Sequence, residues 1–256
     1  MDITVLASGS KGNCSLIDSG DGLILVDAGI SGKRIIEKIS EAGKDSKDLV
    51  GLVLTHDHRD HISGAGIISR RLKIPVYTSP IIHSMNKEIL KNCDVKYFNG
   101  RFNISSLEVT PIPISHDGSD NYGYIFEKGG KKIGHITDLG VVTSLVKERL
   151  RSCNILVLES NHDLKMLKEG PYPWYLKQRI LGKKGHISNV QSSDLVKEIY
   201  SERLKDLVLA HLSEENNDPV IAYDNMDRLR SSFGHNYSIH VAKQNTISET
   251  FVVDLD

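Results

Sequence analysis

Cysteine is scarce in this sequence, and its placement is uninformative: Cys14, Cys93 and Cys153 are odd in number and far apart. That spacing excludes a disulfide framework, a thiolate metal knuckle or a redox pair, and reduced thiols are expected. Long apolar runs are also missing. No stretch approaches the roughly 20 apolar residues of a membrane-spanning helix. Met1-Asp2 lacks the basic flank of a signal peptide, and the apolar run Ile3 to Ala7 is too short to serve as one. A cytoplasmic protein without a membrane partner is expected. An excess of one charge is absent too: 32 Lys and Arg stand against 33 Asp and Glu, a formal net charge of −1. Any hold on a polyanion must therefore come from a local basic patch. Repeats, low-complexity tracts and Pro/Gly/Ser-rich linkers do not occur, so the expected organisation is one domain over residues 1–256. The 39% apolar and 25% charged content is that of an ordinary globular chain with enough material for a sizeable core.

The early chain reads as short strands, Ile3–Leu6, Leu16–Asp18 and Leu23–Val26, with Gly20-Asp21-Gly22 as a hairpin connection. Ser31 is placed to cap a helix carrying Ile35, Ile36 and Ile39, which Gly43 stops; Leu52-Val53-Leu54 follows as a buried strand. Further helices are predicted at 64–72, 80–91, 143–150, 164–169, 173–181, 189–201 and 219–231. Strands are predicted near 75–78, 107–114, 122–127, 132–136, 155–159, 206–210, 238–241 and 247–253. This mixture of α+β and α/β character implies sheets covered by helices.

The sharpest chemical signal is Thr55-His56-Asp57-His58-Arg59-Asp60-His61, a His-x-His-x-Asp-His cluster directly after an apolar strand. Three imidazoles and two carboxylates this close repel one another and are poorly hydrated at the mouth of a sheet unless a cation neutralises them. Imidazole nitrogen and carboxylate oxygen are also the donors that Zn²⁺, Mn²⁺ and Fe²⁺ accept. Two ions need donors from elsewhere, and strand ends are where loops converge. His116, Asp138 and His211 each follow an apolar run that reads as a strand. Asp27 ends Leu23–Val26 and reads either as an anchor for a ligand imidazole or as a turn residue.

With Val26-Asp27-Ala28-Gly29, the cluster from Thr55 to His61, then His116, Asp138 and His211 in order, the chain resembles the metallo-β-lactamase superfamily over nearly its whole length. The resemblance implies an αββα four-layer sandwich of two mixed β-sheets flanked by helices, with two divalent metals at the sheet edge. Carried over by motif, His56, His58 and His116 hold one metal, Asp60, His61 and His211 the other, and Asp138 bridges them. Imidazole at His58, where oxygen-reducing flavodi-iron members carry Glu, implies hydrolysis. The segments Ser8 to Asn13, Glu159 to Asp163, Gly170 to Trp174, Gly185 to Asn189 and His211 to Asn217 are similar to the bacterial YycJ/WalJ-like group, relatives of RNase Z and RNase J. That likeness implies a 5′-to-3′ DNA exonuclease with a part in DNA repair. The large second domain of RNase J and the tRNA-gripping arm of RNase Z have no counterpart in the sequence.

Two metals sharing a water can make hydroxide at neutral pH, so no protein nucleophile is needed, and no Gly-x-Ser-x-Gly elbow is present. His186, flanked by glycine ahead of a helix, matches the position of the RNase Z proton donor and is the candidate general acid. Asp60 and Asp27 are counted with it among the residues serving the reaction. Lys11, Asn13, Arg179, Lys183, Ser188 and Asn189 are candidate phosphate contacts, the last two at a helix N-terminus. Lys177, Lys184, Trp174 and Tyr175 add cations beside aromatic faces, which suits a nucleic-acid partner. A small-molecule metallo-hydrolase acting on a cyclic phosphodiester, thioester or lactam remains open. A purely structural metal site does not suit so carboxylate-rich a donor set.

Overall fold

The computed structural model describes residues 1–255. The chain builds one sheet, crosses to a second, and returns to the first. Its opening strands are β1 (Asp2–Ala7), β2 (Cys14–Asp18), β3 (Leu23–Val26), β4 (Leu49–Val53), β5 (Val76–Thr78) and β6 (Val95–Tyr97). Helices α1 (Gly32–Glu41), α2 (Arg59–Ile62), α3 (Ala65–Leu72) and α4 (Pro80–Met85) lie between them. The second sheet takes β7 (Phe102–Ile104), β8 (Leu107–Pro113), β9 (Tyr122–Lys128), β10 (Lys131–Ile136), β11 (Ile155–Glu159), β12 (Asp206–Ala210) and β13 (Ser238–Val241). Its helices are α5 (Ser144–Leu150), α6 (Leu164–Glu169), α7 (Trp174–Leu181), α8 (Asn189–Ile199) and α9 (Pro219–Phe233), before β14 (Thr250–Val252) closes the first sheet.

Each sheet has seven strands, ordered β14-β1-β2-β3-β4-β5-β6 and β13-β12-β11-β10-β9-β8-β7. Both are mixed in the same way, with antiparallel pairing at one end and parallel pairing at the other. The parallel strands are apolar on both faces because both faces are covered. Alternation then sorts side chains between cores: Ile24 and Val26 of β3 and Ile155 and Val157 of β11 point between the sheets, against Tyr124 and Phe126. Leu23 and Leu25 point outward to Ile35, Ile39 and Ile68 of α1 and α3. Leu156 and Leu158 point outward to Leu195, Val196 and Met226 of α8 and α9. The result is the helix–sheet–sheet–helix layering that the sequence suggested.

Departures are local. The helix predicted over 80–91 ends at Met85, where Asn86 Nδ2 donates to Ile82 O at 2.9 Å and the chain breaks into turns. Strands β6 and β7 were not predicted; three residues each, they are too short and too exposed to show alternation. The predicted strand 247–253 narrows to Thr250–Val252. Helix 64–72 is preceded by the separate short turn α2, which carries Asp60 and His61.

Candidate metal centre and active site

The site lies where one edge of the sandwich collects strand ends. Asp27 follows β3, the His56–His61 loop follows β4, His116 follows β8, Asp138 follows β10 and His211 follows β12. Asp27, Asp138 and His211 adopt left-handed backbone angles, with φ of 62°, 58° and 55°. Such conformations cost a non-glycine residue on the order of 1–2 kcal/mol and persist only where surroundings impose them. Here the peptide N–H groups are held: Asp27 N donates to Val53 O, Asp138 N to Glu159 Oε1, and His211 N to Ser8 Oγ. Gly29 lets the first loop touch the histidine loop; a Cβ there would lie 1.6 Å from Asp60 O.

All seven residues expected to hold metal come together. His56, His58 and His116 offer nitrogens within 4.8 Å of one another, as do the donors of Asp60, His61 and His211. Asp138 stands between the groups: Oδ2 is 3.3 Å from His61 Nε2, and Oδ1 is 3.7 Å from His116 Nε2. Asp60 Oδ2 lies 3.4 Å from His61 Nε2. All but His58 and Asp60 are buried.

The buried rings are oriented from behind. His61 Nδ1 donates to Asp27 Oδ2 at 2.7 Å, and Thr55 donates both N–H and Oγ1–H to the same carboxylate at 2.8 Å. With its proton given to Asp27, Thr55 Oγ1 accepts from His56 Nδ1 at 2.9 Å. His116 Nδ1 donates to Gly185 O, and His211 Nδ1 to Glu159 Oε1 at 2.9 Å. Each Nδ1 is therefore the nitrogen that keeps its proton, and each Nε2 is turned to the cluster, its lone pair open to a cation that displaces any proton there. His56 Nε2, His116 Nε2, His211 Nε2 and Asp138 Oδ2 are buried with no hydrogen-bond partner. Buried polar atoms are normally paired. Orphaned metal-donor atoms spread over both ligand groups fit divalent cations.

Electrostatics point the same way. Burial pulls the His61 imidazole down, but Asp138 and Asp27 outweigh it and lift its pKa well above the ordinary value. His211 is likewise raised to about 10 against its burial, chiefly by Asp138. Burial pushes Asp138 up, yet His211, His61 and the neighbouring histidines hold its carboxyl well below the carboxylate range. His56 is driven down by burial and by the neighbouring His61, which together outweigh Asp138. The field is that of a negative pocket which favours cations.

Glu159 is the residue the sequence reading did not single out. Fully buried at the end of β11, it accepts from His186 Nδ1 and His211 Nδ1 and from the peptide N–H groups of Asp138, Leu139 and Ile187. Despite burial its carboxyl falls to about 2, held down by His186 and His211. The strand-end rule that found Asp138 and His211 applies to it equally. Asp57, inside the cluster, holds a loop instead: its Oδ1 accepts Ser119 N–H at 2.9 Å.

Above the centre opens a cavity of about 280 Å³. Asp60, His58, His116, Asp138, His186 and His211 form its polar side, Tyr172, Leu176 and Ile180 an apolar one, with Arg179 at the wall. Asp27 has no face on the cavity and anchors the His61 ring, one of the two roles its place at a strand end allowed. Several expected phosphate contacts are corrected. Asn13 is buried, its Nδ2 2.9 Å from His61 Nε2 and its Oδ1 accepting Gly9 N–H. Ser188 is fully buried as the α8 cap, and Asn189 is tied to Ser160 and Asn217, so neither is free for phosphate. Lys11 pairs with Glu214, and Lys183 is exposed outside the cavity lining. Arg179 does line it, with Nε 2.6 Å from Asp117 Oδ2.

Residues 23–211 match the family model described as the beta-lactamase superfamily domain. The chain belongs to the metallo-β-lactamase superfamily. Within it, the chain is 34% identical to "Exodeoxyribonuclease YycJ" of Bacillus anthracis, over 87% of this chain and 86% of that protein. It is 31% identical to "Exodeoxyribonuclease WalJ" of Streptococcus pneumoniae, with the same shares covered. The metallo-β-lactamase fold protein YhfI of Bacillus subtilis superposes with a TM-score of 0.69 at 16% identity, covering 96% of this chain and 99% of that one. The short form of human tRNase Z gives 0.67 at 14% identity, covering 97% and 98%. These two share the fold. As a member of the metallo-β-lactamase superfamily related to YycJ and WalJ, the chain is a metal-dependent hydrolase, and its His/Asp clusters suit divalent ions. Among the described residues no helix is long and apolar enough to cross a membrane.

Proposed function

We propose that the chain is a dinuclear phosphodiesterase that removes nucleotides from the 5′ end of DNA. The observation that carries this reading is the cavity itself: the ligand clusters, a candidate proton donor and an apolar wall all face a space of about 280 Å³. That volume, at the lower end of small-molecule pockets, suits one nucleotide and not a duplex. The naming of the YycJ and WalJ relatives as exodeoxyribonucleases supports DNA as the polymer.

In this reading His56, His58 and His116 would hold one ion and Asp60, His61 and His211 the other, with Asp138 available to both. Zn²⁺ suits the donors, and Mn²⁺ or Fe²⁺ are accepted by the same atoms. When bound, such a pair supplies hydroxide at neutral pH and neutralises charge developing at phosphorus. The chain's own groups do the rest. Glu159, ionised, can only accept, so it fixes the proton of His186 on Nδ1 and turns the other ring nitrogen to the cavity. Protonated there, His186 can hand a proton to the leaving oxygen. Tyr172, Leu176 and Ile180 exclude water and offer a surface to a base. Outside the cavity, Trp174 and Tyr175 of α7 are 67% and 73% exposed, large apolar surfaces that burial alone does not explain. They suit stacking by the next bases of a single strand.

Incubation with Mn²⁺ or Zn²⁺ and end-labelled DNA, beside bis-p-nitrophenyl phosphate, tests the proposal. Release of mononucleotides from 5′ ends is expected. Turnover of the small ester alone, with DNA intact, contradicts it and favours a small-molecule hydrolase.

A further inference from the structure

Asp117 follows the candidate ligand His116, and its carboxylate is turned into the centre. Oδ1 lies 3.3 Å from His58 Nε2 and 3.4 Å from His116 Nε2, and it is buried with no hydrogen-bond partner. An ordinary surface ion pair leaves both carboxylate oxygens to water. Here only Oδ2 faces outward, where it accepts from Arg179 Nε at 2.6 Å. The loop that presents this carboxylate is pinned at several points: Asn121 Nδ2 donates to His116 O and Gly118 O, and Ser119 N–H donates to Asp57.

Neighbouring donors bound to one ion at about 2.0–2.2 Å, in four- or five-coordinate geometry, stand about 2.8–3.8 Å from each other. Asp117 Oδ1 keeps that spacing with His58 and His116. Charge favours it as well. Asp60 lies in the other group, while His56, His58 and His116 bring no negative charge of their own and share only Asp138. A carboxylate on the open side balances the two halves.

We propose that Asp117 is an additional carboxylate ligand of the ion held by His56, His58 and His116, with Arg179 as the positioning residue that holds its outer oxygen. The proposal rests on the two-ion reading above. It makes Arg179 a link between the cavity wall and the ion: Nε holds Asp117, and the remaining guanidinium N–H groups are left to meet a phosphate.

The test is titration of the metal-free chain with Co²⁺, followed by visible absorption and by competition with a chromophoric chelator. The wild-type chain is expected to take two equivalents. In Asp117→Ala and Asp117→Asn one equivalent weakens about tenfold or more with an altered cobalt spectrum, while the other equivalent keeps its affinity and so reports an intact fold. Arg179→Gln weakens the same equivalent by a smaller factor and keeps the wild-type spectrum. Two equivalents bound by both Asp117 variants with unchanged affinity and spectrum overturn the proposal and leave the two-ion reading standing. Equal weakening of both equivalents overturns the site-specific role. A wild-type chain that takes up no cobalt overturns both readings.

Discussion

Every buried imidazole of the centre has an acceptor behind its Nδ1: Asp27 serves His61 directly and His56 through Thr55, Glu159 serves His211 and also the half-buried His186, and Gly185 O serves His116. Removing an acceptor frees a ring to rotate and leaves a buried proton unpaired. Asp27→Asn is expected to lower metal affinity about 10–100-fold, measured by chelator competition; unchanged affinity would show that packing alone orients His61. For the proposed proton donor, His186→Ala should lower turnover of DNA by about 10²–10⁴. It should leave bis-p-nitrophenyl phosphate nearly unaffected, because nitrophenolate leaves without a proton. Equal losses on both substrates would assign His186 a role in holding the site together. At this scale the sequence was legible where donors concentrate, from His56 to His61, and where a polar residue ends an apolar strand. Glu159 obeys the second rule but was hidden inside a polar segment. Asn13, Ser188 and Asn189 read as surface polar residues because burial is a tertiary property that no local pattern carries.

The elements matter through their ends. Strands β3, β10 and β12 stop in strained turns, and short loops set the donors facing each other. Gly29 is the tightest approach, its missing side chain leaving room for Asp60 O, and Asn13 N–H bonds that same carbonyl at 2.7 Å. Gly29→Ala must therefore push the Asp60 loop away; loss of melting temperature and weaker metal binding are both expected, and a variant equal to wild type in both would contradict the described contact. Helix α7 carries the substrate side of the account. Alanine at Trp174 and Tyr175 should weaken single-stranded DNA binding by about 1–3 kcal/mol per lost stack while small-ester turnover stays constant. Fluorescence anisotropy with labelled oligonucleotides measures this, and unchanged affinity would move the strand's path elsewhere. Long, two-sided apolar strands such as β11 and β12 were plain in the sequence. Helix 80–91 was overextended because Ile89 and Leu90 continue the apolar spacing of α4 while the backbone runs in turns, with Leu90 still buried.

On the scale of the whole molecule, the layering follows from strand composition, and the near-neutral charge limits what binds at a distance. Stability carries its own pH signature. Burial pulls His135, between the sheets, and His162, beside α8, down to about 4. A histidine kept neutral by folding contributes stability that is present above its free value of about 6.5 and is lost as pH falls toward 4. The loss is up to about 3 kcal/mol for each. His135→Gln should flatten the fall of melting temperature between those limits; a slope equal to wild type would show that other groups govern it. Below about pH 4.5 the Glu159 carboxylate adds a further loss, extending toward its lowered value near 2. The central claim is that groups far apart in sequence hold two cations at one sheet edge. Anomalous diffraction from crystals grown with Zn²⁺ tests it most directly: two peaks about 3.5–4 Å apart among His56, His58, Asp60, His61, His116, Asp138 and His211 are predicted, and a centre without such a pair would contradict the account.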